Sequence, residues 1–180
     1  MELNKNLLLA ALKHAVLIGA GSVIISLLLY AGSTVETYVQ LYSLLAFVIA
    51  FSAVVYLGRK ERTDNFEGFL SFQNSFFYSV IALFISYYIY QIYFLILCNY
   101  VNPEIKTVIF ETSMEATEVM FELIDTSQID QDEQLDIMEN EIKNSFLFGS
   151  LLRDSWRYLM TSAFFSIFTG LIIKKNKKTC

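Results

Sequence analysis

Residues 14–35 read HAVLIGAGSVIISLLLYAGSTV, and no acid, lysine or arginine interrupts them. A helix needs about 20 mostly apolar residues to cross ~30 Å of hydrocarbon at 1.5 Å per residue. This stretch meets that length on its own. Three further charge-free stretches follow, at 37–58, 68–103 and 158–173. The last is the shortest, but Trp156 and Tyr158 stand at its start, and such amphipathic rings collect in the headgroup layer. The direct reading is an all-α, integral membrane four-helix bundle forming a single domain over 1–180, with spans at about 10–31, 39–58, 74–101 and 156–173.

Composition agrees. The chain has 180 residues, 55% of them hydrophobic and only 17% charged, whereas a soluble domain carries about 25% charged residues. One proline and seven glycines leave little room for turns and predict long elements. Mean hydropathy is +0.48, which excludes a disordered tail and a disulfide-rich secreted module. The net charge of −5 argues against a nucleic-acid partner. A cleavable signal is the competing reading of the N-terminus, with Lys5 and Lys13 as its basic region and Ala31-Gly32-Ser33 as small cleavage residues. The apolar run after Lys13 exceeds the ~7–15 residues of a signal core, so a retained span is expected.

The stretch 68–103 is too long for one perpendicular span. Phe66, Phe69, Phe72 and Phe76 recur every three or four residues, which predicts an interfacial helical approach leading into a span from about Phe76. One long tilted helix is the alternative.

Positive residues favour the cytoplasmic side of short loops. Lys5 and Lys13 precede the first span, Arg59, Lys60 and Arg62 follow the second, and Lys174, Lys175, Lys177 and Lys178 end the chain. Four spans put these three segments on one side. Residues 102–152 hold twelve acids against Lys106 and Lys143 and are expected outside. Arg153 and Arg157 break this pattern, and Asp154 is expected to pair with Arg157 one turn on.

Lipid tails are as apolar as leucine, so helices in lipid associate through close packing of small residues. Each expected span carries such a stripe at helical spacing. The first has Ala11, Ala15, Gly19, Ser22 and Ser26; the second Ser43, Ala46, Ala50 and Ala53; the third Ser75, Ser79, Ala82 and Ser86; the fourth Ser162, Ser166 and Thr169 beside Gly170. Four stripes in register predict a packing seam, with a homodimer contact as the other use of any one of them.

The outer half of the third span carries Tyr87, Tyr88, Tyr90, Gln91, Tyr93 and Tyr100. A phenol inside hydrocarbon needs a partner. Tyr87, Gln91 and Tyr93 are therefore candidates for a small outward pocket, and an aromatic belt with interhelical hydrogen bonds is the plainer reading.

In the outer loop, Asn102-Pro103-Glu104 reads as an N-cap, a first-turn proline and a first-turn acid. A broken apolar stripe (Ile105, Val108, Ile109, Val119, Leu123, Ile124) and a second one (Leu135, Met138, Ile142) predict a helical hairpin with a turn near Asp125-Thr126-Ser127. Asp130 and Glu133 stand at capping spacing. Glu111, Glu115, Glu118 and Glu122 fall on its solvated face and form a candidate partner surface. Asp130, Asp132, Asp136 and Glu141 mimic a calcium-loop spacing, but Leu135 occupies the position that demands glycine. No cofactor or metal site is expected.

The remaining chemistry is sparse. His14 is the one histidine and neighbours Lys13 at the membrane border. Cys98 and Cys180 fall on opposite sides of the expected topology, which forbids a disulfide between them. Cys180 ends the sequence rather than standing four from its end, so no prenylation box is expected. No acid or base lies deep in a span, and such charges mark proton and ion pathways.

The order of these features resembles a bacterial family of uncharacterised membrane proteins, the domain of unknown function 4199. The likeness rests on the basic N-terminus, on Gly68-Phe69-Leu70-Ser71-Phe72 before the third span, similar to that family's Gly-x-Leu-Thr-Phe segment, on Asn102-Pro103 with its charged helical pair, and on the lysine-rich end. The loop is more acidic than the family's, and Asn74-Ser75 stands where a small pair is expected. The resemblance implies four spans in a bacterial inner membrane. It implies no activity, and no functional residues carry over.

The expected function is a non-catalytic interaction or accessory protein of that membrane, with both termini cytoplasmic. Its expected partners are the lipid bilayer and either a basic protein or a second copy. A subunit of a small oligomeric transporter or channel is the first alternative. An enzyme acting on lipid or peptide through the tyrosine-rich outer half is the second.

Overall fold

The computed structural model describes residues 5–123 and 131–175. The expected turn at 125–127, the capping residue Asp130, and the terminal Lys177, Lys178 and Cys180 lie outside the described residues, as do the side chains of Ser43, Glu118, Glu122 and Asp132. The described residues are mostly helical, with helices α1 (Lys5–Gly32), α2 (Val35–Asn65), α3 (Phe72–Ile96), α4 (Glu104–Leu123), α5 (Gln131–Ser145), α6 (Phe148–Arg153) and α7 (Ser155–Ile173). A π-helical turn, Leu97–Val101, extends α3. Four helices are long and apolar enough to cross a membrane: α1, α2, α3 with its π turn, and α7.

Helix α3 is the centre. It packs on α1, α2 and α7, while α1 and α7 have no comparable contact with each other. The reason is visible in its sequence. Ser75, Ser79, Ala82 and Ser86 present a face without bulk, and all four are buried. The facing stripes answer it: Ala11, Ala15, Gly19, Ser22 and Ser26 on α1 and Ser162, Ser166, Thr169 and Gly170 on α7 are buried too. A Cβ placed on Gly170 would lie 3.2 Å from the backbone of Phe76, and one on Gly19 would lie 3.0 Å from the Ile89 side chain. On α2 the stripe sits differently, because Ala46, Ala50 and Ala53 are only half-buried.

The basic end is clamped. Asn65 closes α2, and the chain then turns through Glu67 and Gly68 at φ values of 52° and 79°. Leu70 pairs with Lys175 in an antiparallel bridge, with backbone hydrogen bonds of 3.0 and 2.9 Å in the two directions. Ser71 caps α3 by accepting from the Asn74 N–H at 3.3 Å. The phenylalanine run at 66–76 is therefore no interfacial helix. Its three-and-four spacing spans a left-handed turn, after which Phe69 and Phe72 lie under the ammonium groups of Lys175 and Lys174. Arg62 donates to the Ile173 carbonyl at 2.5 Å and Arg59 to that of Ile172 at 3.4 Å. Two cations thus satisfy the free carbonyls at the C-terminus of α7, where the helix dipole is negative.

At the other end, the Asn102 side chain accepts from the Glu104 N–H at 3.0 Å, as the cap reading requires. Helix α4 packs on α2 and on α5. Ile105 and Phe146 join Tyr38, Phe94, Leu97 and Cys98 in one buried cluster, so the base of the helical pair is laid over the mouth of the bundle. Asp154 pairs with Arg153 at 3.3 Å instead of with Arg157. It stands at the N-cap position of α7 rather than inside the helix, so the three-residue helical spacing to Arg157 does not bring the two side chains together. The hydrogen bond and charge of Asp154 raise the pKa of Arg153.

Gly58 tests the clamp. A Cβ there would meet Ile173 Cδ1 at 2.6 Å and Tyr78 Cε1 at 2.8 Å, whereas Gly21 has open space. Gly58→Ala is expected to lower the melting temperature in detergent through an overpacking cost of about 1–3 kcal/mol. Gly21→Ala should leave it unchanged or raise it, since alanine is the better helix former.

Candidate functional site

Helices α2 and α7 meet at the basic end, through Gly58 and Ile173, and again where the Phe47 and Phe165 rings stand 4.5 Å apart. Beyond that second contact, toward α4, a cavity of about 290 Å³ separates them. Four helices wall it. Ser22 comes from α1; Tyr42, Ala46, Phe47 and Ala50 from α2; Leu83, Ser86, Tyr87, Tyr90 and Gln91 from α3; Tyr158, Thr161, Ser162 and Phe165 from α7. The half-buried alanines of α2 thus border space. None of the lining residues carries a formal charge.

The polar groups around the cavity fall into two kinds. Some are spoken for: Gln91 donates to the Tyr87 hydroxyl at 2.5 Å, Thr161 to the Arg157 carbonyl at 2.9 Å and Ser86 to the Leu83 carbonyl at 3.0 Å. Tyr90 lies 3.4 Å from Ser26, whose hydroxyl is also 2.8 Å from that of the fully buried Tyr38. Others have spare capacity. The hydroxyls of Tyr42 and Tyr158 have no hydrogen-bond partner among the described residues. Tyr87, which accepts from Gln91, keeps its own O–H. Aromatic packing holds these rings in place: Tyr42 stacks on Phe94 at 4.6 Å and on Tyr38 at 5.5 Å, and Tyr158 meets Tyr87 edge-on at 4.9 Å.

Of the residues singled out from sequence for an outer pocket, Tyr87 and Gln91 line this cavity. Tyr93 does not; its hydroxyl is buried without a partner, behind Tyr90. The sequence reading missed Tyr42, Tyr158, Phe47 and Phe165. Tyr158 was legible only as a belt residue beside Trp156, and nothing in the spacing of α2 marks Tyr42 as facing a gap. Among the candidate surface acids, Glu111 and Glu115 are exposed on α4; Glu118 and Glu122 have side chains outside the described set. His14 is not a free headgroup neighbour, because its Nδ1 and the Tyr78 hydroxyl are 2.7 Å apart. Among the described residues no group of three His, Cys, Asp or Glu comes together.

The π turn that follows α3 lies just above this region. Asn99 bridges it, donating to the carbonyls of Leu95 at 2.8 Å and Phe146 at 3.0 Å. The capped Asn102-Pro103 beyond it and the clamped Gly68–Phe72 segment are the places where the family resemblance rested on specific residues. The chain belongs to the family described as protein of unknown function (DUF4199). That family's model matches residues 13–175, which include α2, α3, α7, all but the first eight residues of α1 and the whole cavity lining. No curated protein and no solved structure matches the chain. Family membership and four long apolar helices together make this a membrane protein of uncharacterised family.

The buried hydroxyl pair between the cavity and the α4 end of the bundle gives a direct test. Tyr38→Phe removes the hydrogen bond to Ser26 and should cost about 0.5–1.5 kcal/mol of stability. The exposed Tyr56→Phe should cost nothing measurable. Detergent denaturation of the two variants side by side checks this.

Proposed function

We propose that the protein is a non-catalytic accessory protein of the bacterial inner membrane, with the α4–α5 helical pair as its partner-facing surface on the outer side. The observation that carries this reading is what the pair exposes. Its base is packed on the bundle, but Val119, Met120 and Ile137 remain 50%, 54% and 45% exposed among the acids of α4 and α5. These helices lie outside the four apolar ones, so lipid is not their natural cover. Exposed apolar residues rimmed by charge suit a protein surface. The net −10 of residues 102–152, two lysines against twelve acids, selects a basic partner and repels anionic headgroups.

The proposed orientation draws support from the gathering of basic segments. Arg59 and Arg62 touch the end of α7, and Leu70 pairs with Lys175, so the cations of two separate segments share one end of the bundle. By the positive-inside tendency that end is cytoplasmic. A non-catalytic role is supported by the cavity, whose lining offers phenols, hydroxyls and one amide but no carboxylate, imidazole, amine or thiol. A conduit is disfavoured because Ser26, Ser75, Ser79, Ser166 and Thr169 are buried, which leaves only Ser22, Ser86, Thr161 and Ser162 of the small polar residues of α1, α3 and α7 beside the cavity.

Two measurements test the proposal. In a background lacking Cys98 and Cys180, cysteines at Thr63 and Asn140, both exposed, should label from opposite faces of the membrane; labelling from one face removes the topology. The quadruple change Glu111→Gln, Glu115→Gln, Glu118→Gln and Glu122→Gln should keep the melting temperature and lose a salt-sensitive partner. Attraction of this kind is screened beyond ~8–10 Å at physiological salt, so wild-type association should slow as salt rises. A variant that unfolds makes the acids structural, and one that folds and keeps every partner reduces them to a solvated face.

A further inference from the structure

We infer that the cavity between α2, α3 and α7 binds a neutral membrane lipid whose head is a flat, hydrogen-bond-accepting ring, the chemistry of a lipid quinone. Depth comes first. Its lining residues all belong to the apolar helices, at positions inside their charge-free stretches, so ligands reach it through the bilayer. The cavity is open: Phe47, Tyr87 and Thr161 on its border are exposed, on the side where α2 and α7 part above the Phe47–Phe165 contact.

Charge decides the next step. A phosphate, carboxylate or ammonium brought here would lose its water and meet no countercharge, which is prohibitive in a low-dielectric site. Phospholipid headgroups and fatty-acid carboxylates are therefore excluded. The polar groups present are mostly donors awaiting acceptors. Tyr42 and Tyr158 have no hydrogen-bond partner among the described residues, and Tyr87 retains its O–H while accepting from Gln91. Tyr42 and Tyr87 lie well inside their charge-free stretches, where a phenol cannot turn to water, and Tyr158 at the rim aims at the same space, so a bound acceptor meets an existing need. A carbonyl fits that need and a saturated chain does not.

Shape narrows the class. At about 290 Å³ the space lies at the lower end of small-molecule pockets, roughly 300–1,000 Å³. It holds one ring or a short stretch of chain. Its walls are aromatic on several sides: Phe47 and Phe165 below, Tyr87 and Tyr158 beside, Tyr42 and Tyr90 across. Such walls favour a flat ring, which packs against them by offset or edge-on contact. The tail leaves by the open side into lipid.

The test uses the purified full chain in nanodiscs of neutral lipid, with a decyl-tailed benzoquinone as probe. Trp156 is the chain's single tryptophan and lies two residues before Tyr158, so its quenching reports occupancy. Wild type should show saturable quenching above the linear background. Ala46→Phe, which fills the cavity, should leave only the linear part. Tyr42→Phe and Tyr158→Phe, which keep the shape, should each weaken binding about tenfold, the effect of one hydrogen bond lost in an apolar site. Dodecanol in excess should not compete. Linear quenching in wild type overturns the site. Equal binding by both tyrosine variants overturns the role of the phenols, and competition by dodecanol overturns the ring in favour of a plain chain. Should Ala46→Phe fail to fold, the two conservative tyrosine variants still decide. These outcomes are independent of the acidic helical pair, so failure here leaves that reading untouched.

Discussion

The bundle depends on how closely other helices can approach α3. In water, apolar faces are driven together by the solvent, and side-chain size matters second. In hydrocarbon that drive is missing, and attraction comes from atoms in contact. Contact across a broad helix surface requires a backbone without bulk on it. Helix α3 offers one, through Ser75, Ser79, Ala82 and Ser86, and α1 and α7 bring matching stripes. The separation of 3.2 Å between a would-be Cβ of Gly170 and the Phe76 backbone shows how little space is left. Two helices dock on the same central one, and α2 lies across them. Four cylinders so arranged cannot close every gap, and the gap that remains is the cavity.

Close approach has a visible cost. The hydroxyls of Ser75, Ser79 and Ser166 are buried without a partner. Other hydroxyls in the spans turn back on their own helix, as Thr169 does to the Phe165 and Ser166 carbonyls and Ser86 to that of Leu83, the usual resort of serine and threonine in membrane helices. The contacts of Phe76 with Gly170 and of Tyr87 with Tyr158 give α3 and α7 an antiparallel register that places Ser79 level with Ser166. Two of the three orphan oxygens thus lie level with each other where α3 meets α7. There, small volume outweighs hydrogen bonding, and alanine would serve the packing as well. The tyrosines follow the opposite logic. Their volume is what shapes the cavity, and their unpaired hydroxyls face a space that a ligand can enter.

Much of this was legible in the sequence, and what was not has a physical reason. The spans showed as gaps between charges, because a charge in hydrocarbon is too costly to be scattered at random. The stripes on α1, α3 and α7 showed because small residues at three-and-four spacing share a face. The α2 stripe has the same spacing but only half-buried alanines, since spacing identifies a face and not what stands opposite it. Tyr42 and Tyr158 were invisible as a pair for that reason; they are remote in sequence and meet only across the gap. The phenylalanines at 66–76 misled by keeping a helical period through a turn. Gly68, at φ 79°, was the signal that the helix breaks there. Asp154 paired with its neighbour Arg153 because a helix start, unlike a helix interior, does not hold side chains to the three-and-four rule.

The two ends of the bundle are built on opposite principles, and the cavity follows from the difference. At the basic end the contacts are backbone-deep: Leu70 and Lys175 exchange hydrogen bonds, and Arg59 and Arg62 occupy the carbonyls at the close of α7. The cations read from sequence as orientation signals are therefore also structural caps. That end brings α2 against α7 with only Gly58 between Ile173 and Tyr78. At the far end α2 is drawn instead toward α4 and the π turn, through Tyr38, Ile105 and Leu97. A helix pinned to α7 at one end and to α4 at the other must swing away from α7 between them. The Phe47–Phe165 contact is where the swing begins, and the space above it is held open by the same packing that stabilises the helical pair over the bundle mouth.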